Sequence, residues 1–227
     1  MVADTPSGAV GPTPASAVGR PRSGGRLRPG ATPREEILDA AAELFTTRGY
    51  GSTSTRSIAE AVGIRQASMY YHFARKEDLL RELLERTVAP SVAHAEELIA
   101  ARVPADEALY RLARFDCALL LAGPWNLGSL YLVPEVRTPE FASFWAARDR
   151  LRDRYAAWVA AAAPAGRAAA EPAVVRDLVL GLVESVISMR SQDPDVDPAA
   201  VVPAVAAGCL LLAGVDRARI DALAAAF

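Results

Sequence analysis

Ser54-Thr55-Arg56-Ser57-Ile58-Ala59-Glu60-Ala61-Val62-Gly63-Ile64-Arg65-Gln66-Ala67-Ser68-Met69-Tyr70-Tyr71-His72-Phe73 is the stretch whose reading decides the fold of this chain. Ser54 is a good N-cap, and Ile58, Ala59 and Val62 share one face of a short helix over Thr55 to Val62. Gly63-Ile64 ends that helix, because Gly63 tolerates the positive φ of a tight turn. A second short helix is predicted over Gln66 to Phe73, with Met69 and Phe73 four residues apart and facing a core. Two helices that cross steeply need a small residue at the contact, which Ala59 supplies, and a permissive turn four residues later, which Gly63 supplies. That is the construction of a helix-turn-helix, whose second helix fits a major groove about 12 Å wide.

Working outward, Thr32-Pro33-Arg34-Glu35 has the form of a capping box with Pro at the first helical position, Glu35 reaching back to the cap. The helix it opens carries Ile37, Ala40, Ala41, Leu44 and Phe45 at three- and four-residue spacing and stops at Gly49. Downstream, Leu79, Leu80, Leu83, Leu84 and Val88 begin a fourth helix at Lys76, in which Pro90 predicts a kink or a break. Further helical patterns cover about Ala105–Leu121, Pro139–Ala163, Pro172–Arg190, Ala199–Ala213 and Asp216–Ala226. The segment Gly123–Thr138 is interrupted by Pro124, Gly128 and Pro134. No alternating strand run stands out, so the fold class is all-α: an N-terminal helix-turn-helix domain over 32–92, then a larger helical domain over 93–227. Residues 1–31, rich in Gly, Pro, Ser and Ala, read as a disordered basic arm.

The 227 residues are 52% hydrophobic and only 7% aromatic, and the Ala-rich remainder favours helix over sheet. A net charge of −2 conceals local asymmetry: Arg48, Arg56, Arg65, Arg75 and Lys76 face Glu60 alone between Arg48 and Lys76. On charge alone this is more commonly a solvated face; with the helix-turn-helix it is a nucleic-acid surface. Cys117 and Cys209 read as small buried hydrophobes rather than a bridge. The absence of an apolar leader segment implies a cytoplasmic protein. Pro198 to Val215 has no charge over 18 residues, but its two prolines and two glycines fit a buried interface helix better than a membrane span.

The run from Ser52 to Leu80, with Ala40-Ala41-x-x-Leu44-Phe45-x-x-x-Gly49-Tyr50 before it and Tyr70-x-x-Phe73-x-x-Lys76 at its end, strongly resembles the DNA-binding domain of the tetracycline-repressor (TetR) family. The resemblance covers about residues 32–92; beyond it only helical layout and length agree. It implies a homodimeric one-component regulator, a repressor on a palindromic double-stranded DNA operator, released when a small molecule binds the C-terminal domain. Carried over by position, Thr55 and Arg56 open the first helix of the motif on phosphate and base. Gln66, Ala67 and Ser68 stand at the base-reading turn, and Tyr70, Tyr71, His72 and Lys76 on the DNA-facing side, with Tyr70, His72 and Lys76 at phosphate- or sugar-contacting positions. Arg and Gln can bond guanine and adenine edges in pairs, whereas Tyr and Lys suit phosphate. Two departures stand out. Arg65 replaces the Ser or Thr that usually caps the recognition helix, at about 1 kcal/mol of helix stability, and offers an added DNA contact. Ala67 replaces Gly or Pro and presents a methyl to thymine. Taken singly, Tyr71 and Phe73 also fit a core and His72 a plain surface.

In the larger domain, aromatic residues gather at Tyr110, Phe115, Trp125, Tyr131, Phe141, Phe144, Trp145, Tyr155 and Trp158. Phe115, Trp125, Asn126, Tyr131, Phe144 and Trp145 are the candidates to line a pocket for a small, largely apolar effector, with Asp116, Ser129 and Glu135 as further polar groups. Each aromatic equally fits a plain core. Gly123–Thr138 is the natural pocket wall or gate. Two small-residue stripes, Leu178, Gly181, Leu182, Ser185 and Met189, then Ala204, Ala207, Gly208 and Leu211, fit a four-helix dimer interface. Along 148–154, alternating Arg and Asp read as an exposed face bridged by Asp149–Arg152 and Arg150–Asp153, an acidic-ligand clamp being the alternative. Alternating Asp at 193, 195 and 197 lacks the Gly and terminal Glu of a calcium loop and fits a capped turn. No metal-ligand set or cofactor fingerprint is present, and no catalytic motif, so an all-helical enzyme is disfavoured. A DNA-binding protein without an effector is the other alternative; it requires a filled C-terminal core.

Overall fold

A computed structural model describes residues 32–162 and 171–227; the basic arm read over 1–31 lies outside the described residues. Among the described residues there are nine α-helices and three short 3₁₀ turns, and no strand. Helix α1 spans Pro33–Arg48, α2 Thr55–Val62, α3 Gln66–His72 and α4 Lys76–Ala100. The larger set comprises α5 Ala105–Leu121, α6 Ala142–Ala162, α7 Pro172–Gln192, α8 Pro198–Leu212 and α9 Arg217–Ala226. The segment read as broken holds the 3₁₀ turns Leu127–Leu132, Pro134–Arg137 and Pro139–Phe141, so α6 starts at Ala142 rather than Pro139.

Local chemistry sets the short helices. Ser54 accepts from the Ser57 amide, and Ser57 accepts in return from the Ser54 amide. Gly63 ends α2 in the left-handed region at φ 77°, ψ 29°, a conformation that carries little penalty for Gly. Ala59 is buried at the α2–α3 crossing, and Met69 and Phe73 are buried behind α3. At the start of α1, Thr32 accepts from the Glu35 amide, but the Glu35 carboxylate does not return to the cap. It takes two hydrogen bonds from Arg86 on α4 instead, at 2.8 and 2.9 Å. Two charge-assisted bonds outweigh one exposed cap bond.

Helix α4 is unbroken at Pro90. Its buried face, including Leu83, Leu84, Val88, Ser91 and Ala95, packs on both sides of the proline, and that packing overrides the local preference against it. One helix thus runs from the helix-turn-helix into the larger domain. Around it α5 to α8 form one core, with Tyr110, Phe144 and Tyr155 fully buried. Cys117 and Cys209 are buried free thiols, their Sγ atoms close to carbonyls of α7. Gly128 seats the 3₁₀ segment on α7: a Cβ there would lie 2.5 Å from Ile187 Cγ1. No helix among the described residues is long and apolar enough to cross a membrane.

Candidate DNA interface and effector cavity

Helices α2 and α3 present one polar surface. Gln66 Nε2 donates to Thr55 Oγ1 at 3.0 Å and to Tyr70 OH at 3.2 Å, and these two hydroxyls stand 3.1 Å apart. The cluster fixes the start of α3 against the start of α2 and leaves Gln66 and Tyr70 exposed. Arg65 occupies the N-cap of α3 without a side-chain cap bond. Its guanidinium is exposed and has no ion pair among the described residues. Arg56 is held by Glu60 at 2.8 Å, both highly exposed. Ala67 and Ser68 are exposed beside them. Tyr71 is 88% exposed, which removes the core reading for it; His72 sits edge-on to its ring at 5.4 Å.

Lys76 behaves differently. Its Nζ donates to the carbonyls of Tyr50 and Thr53 at 2.9 and 3.0 Å and lies 3.9 Å from the Tyr50 ring centroid. The ammonium therefore ties the start of α4 to the turn between α1 and α2, leaving one N–H available. A second set of ties joins α1 to α4: Arg86 bonds Glu35 and Glu82, and Arg34 pairs with Glu82.

The larger domain holds a partly open cavity of about 330 Å³. Helix α4 contributes Thr87, Val88 and Ser91, α5 Asp116 and Leu120, and Tyr131 enters from the first 3₁₀ turn. Of the six residues expected to line a pocket, Tyr131 and Trp145 do so. Phe144 is packed just behind them, its ring 5.4 Å from Tyr131 and 5.1 Å from Trp145. The other three lie elsewhere. Phe115 stacks on His94 in a separate surface groove. Trp125 donates to Asp39 on α1 at 2.8 Å, and Asn126 donates to the Ile187 carbonyl and Ser191.

The lining is more polar than the aromatic count implies. Tyr131 donates to Thr87 Oγ1 at 2.6 Å, and burial pushes its phenol up to about 12. On the α6–α7 side, Arg148 pairs with Glu184 at 2.6 Å and lies over the Tyr131 ring, while Arg152 pairs with Asp177 at 2.6 Å. These pairs, with Arg154–Glu96, cross between helices. They replace the Asp149–Arg152 and Arg150–Asp153 bridges expected along α6, because a long Arg reaches a facing helix as readily as its own next turn. Arg176 and Arg152 hold the exposed Asp177 carboxyl down to about 2.

Asp116, read from the sequence as one of several polar candidates for the pocket, lines the cavity. Tyr155 donates to its Oδ2 at 2.7 Å. Burial raises its carboxyl to about 6, against the easing effect of the Ser91 and Tyr155 hydroxyls, with Glu184 adding to the rise. Arg190 went unnoticed in the sequence. It is buried on α7 and donates to the carbonyls of Leu120, Ala122 and Gly123, closing the C-terminus of α5. An apolar helix face interrupted by one Arg was the only available signal.

On the two stripes expected at a dimer interface, Leu178 and Leu211 are about half exposed, and Gly181, Met189 and Ala204 are exposed. Ala207 and Ser185 are partly covered, and Ser185 donates to the Leu182 carbonyl. Leu182 and Gly208 face each other within the protomer, where a Cβ on Gly208 would come 2.8 Å from Leu182 Cδ2. In the 193–197 turn, Asp193 accepts from the Asp195 amide and Asp197 from Ala199.

A tight two-helix reading head joined by one continuous helix to a cavity-bearing helical domain defines a helix-turn-helix transcriptional regulator. Residues 37–83 match the family model described as bacterial regulatory proteins, tetR family. The crystal structure of Mycobacterium smegmatis AmtR is similar at 47% identity, covering 88% of this chain and 95% of that one, with a TM-score of 0.77. The chain belongs to the TetR family. The HTH-type transcriptional repressor KstR2 of Rhodococcus jostii (strain RHA1) is 49% identical over 51 residues, 22% of this chain and 25% of that protein. The chain thus matches about a quarter of the length of the first curated relatives. A structure described as AibR in complex with isovaleryl coenzyme A and operator DNA shares the fold at 20% identity, TM-score 0.66, covering 78% of this chain and 97% of that one.

Proposed function

We propose that the protein is a homodimeric cytoplasmic repressor that reads a palindromic operator with α3 and is released when a small molecule enters the cavity. The observation that carries this reading is α4. Its first residue grips the Tyr50 and Thr53 carbonyls, and three turns later Thr87, Val88 and Ser91 line the cavity. A ligand that favours a different setting of α4 shifts the reading head with it and weakens operator binding by its differential affinity for the two settings.

Arg65, Arg56 and Gln66 serve as the base-reading groups, with Ala67 and Ser68 alongside. Thr55, Tyr70, Tyr71 and His72 position the head on the backbone, and Lys76 gives its remaining N–H to a phosphate. Exposed Leu178, Gly181, Met189, Ala204 and Leu211 form the apolar strip across which two copies pair, with Leu182, Ser185, Ala207 and Gly208 supporting it. The test is selection of genomic fragments by the purified protein, followed by fluorescence anisotropy on the enriched site. Expected is an enriched inverted repeat, with Arg65→Ala weakening binding by about 1–3 kcal/mol. Equal retention of random DNA would reject the regulator reading.

A further inference from the structure

Two polar atoms on the buried wall of the cavity face each other without a well-formed hydrogen bond: Asp116 Oδ1 and Ser91 Oγ, the Ser91 hydroxyl lying near enough to ease the Asp116 carboxyl. Asp116 is 5% exposed and Ser91 1%. Outward from them, the Arg148–Glu184 side chains are 24% and 34% exposed and the Arg152–Asp177 side chains 46% and 48%, which orients the cavity from buried carboxylate to charged rim. Val88, Leu120, Leu180 and Val183 supply apolar wall between these ends.

A buried carboxylate without a counterion is costly, and native proteins pair it. Here Oδ2 is satisfied by Tyr155, but no cation among the described residues pairs with Asp116. The two guanidiniums that line the cavity are already engaged: Arg148 is held by Glu184 and stacked over Tyr131, and Arg152 pairs with Asp177. The neighbours of Asp116 at the buried end are neutral hydroxyls, so what that end lacks is a positive donor.

Resting on the effector-cavity reading above, we infer that the ligand is a compact molecule with a positively charged nitrogen head, an ammonium or amidinium, donating to Asp116 Oδ1 and Ser91 Oγ. Its body lies against the apolar wall and the Tyr131 ring. A cavity of about 330 Å³ is at the small end of ligand pockets, roughly 300–1,000 Å³. An acyl chain is a poor occupant, since its apolar tip would meet the unpaired carboxylate. The largely apolar effector expected from the aromatic residues gives way to this class because most of those rings sit in the core or outside the cavity.

Three probes of one shape separate the possibilities: benzamidine (cation), benzamide (neutral donor) and benzoate (anion), titrated calorimetrically into the full-length protein at millimolar concentrations. Benzamidine is expected to bind better than benzamide, and benzoate not at all. Asp116→Asn, which keeps an acceptor for Tyr155, is expected to lose at least about tenfold in benzamidine affinity. Ser91→Ala gives a second, smaller loss and stands in if the Asn variant does not fold. Benzoate binding as well as benzamidine, or benzamidine affinity unchanged in both variants, overturns the assignment. So does an absence of binding by all three, which leaves water alone on the two atoms. Operator anisotropy with the same probes judges the other reading separately. Benzamidine that binds through Asp116 without altering operator affinity leaves the ligand class standing and removes release; an anion that releases operator does the reverse.

Discussion

Replacing Asp116 by Asn removes a buried charge while keeping shape and the Tyr155 bond, and its effect on stability has a defined pH course. The carboxyl ionises at about 6 in the folded protein, against an ordinary value of 3.8. Because the folded value is raised, the protonated acid favours folding. That contribution is fully present below about pH 3.8 and is lost as the pH rises through about 6. A difference of about 2 in pKa corresponds to about 3 kcal/mol, an upper figure because the folded protein relaxes around the buried charge. The Asn variant carries no such loss. Near pH 7.5 it is expected to be more stable than wild type by up to about 3 kcal/mol, or roughly 2–4 °C per kcal/mol in a chain of this size. The gap falls to about half near pH 5 and nearly closes by pH 4. Melting followed by circular dichroism from pH 4 to 8, at one fixed protomer concentration, reads it directly. Parallel pH profiles for the two proteins would refute the reasoning, since an Asp116 that titrates normally is not desolvated.

Three other substitutions probe the scaffold. Arg190→Ala strips the guanidinium from the Leu120, Ala122 and Gly123 carbonyls and is expected to lower stability by about 2–3 kcal/mol in chemical denaturation; a loss below 0.5 would show that water replaces it. Gly128→Ala forces a methyl onto Ile187 and should destabilise by about 1–3 kcal/mol, with Ile187→Ala restoring part of it; wild-type melting would mean that the segment yields freely. Lys76→Met leaves the Tyr50 and Thr53 carbonyls without their cation, so the melting temperature should fall. The salt dependence of operator binding should also lose about one phosphate's share; an unchanged slope would make Lys76 a brace alone.

The helix-turn-helix was legible because its determinants are local. Ser54 caps, Gly63 turns and Ala59 fits the crossing within ten residues, so α2 runs from Thr55 to Val62 as the sequence predicts. Of the kink or break expected at Pro90 the break does not occur, because buried leucines on either side hold a helix that local preference alone would interrupt. The cavity was legible only in part. Tyr131 and Trp145 stood out as aromatic residues, but the feature that gives the site its chemistry is a juxtaposition of Ser91, Asp116 and Tyr155 from three helices. No spacing rule brings those positions together. The same is true of Arg148 and Arg152, whose carboxylate partners sit on α7 rather than one turn away on α6. Long side chains choose partners in three dimensions, and a sequence pattern shows only the neighbours along one helix.

The most direct measurement of the central claim is a hydroxyl-radical footprint of the full-length protein on its enriched genomic fragment. Two symmetric protected patches are expected, their centres one DNA turn of about 10 base pairs or a multiple of it apart, with both patches lost together in Leu178→Glu and weakened together in Arg65→Ala. A single asymmetric patch, or uniform protection without phase, would contradict a dimer that reads a palindrome through α3.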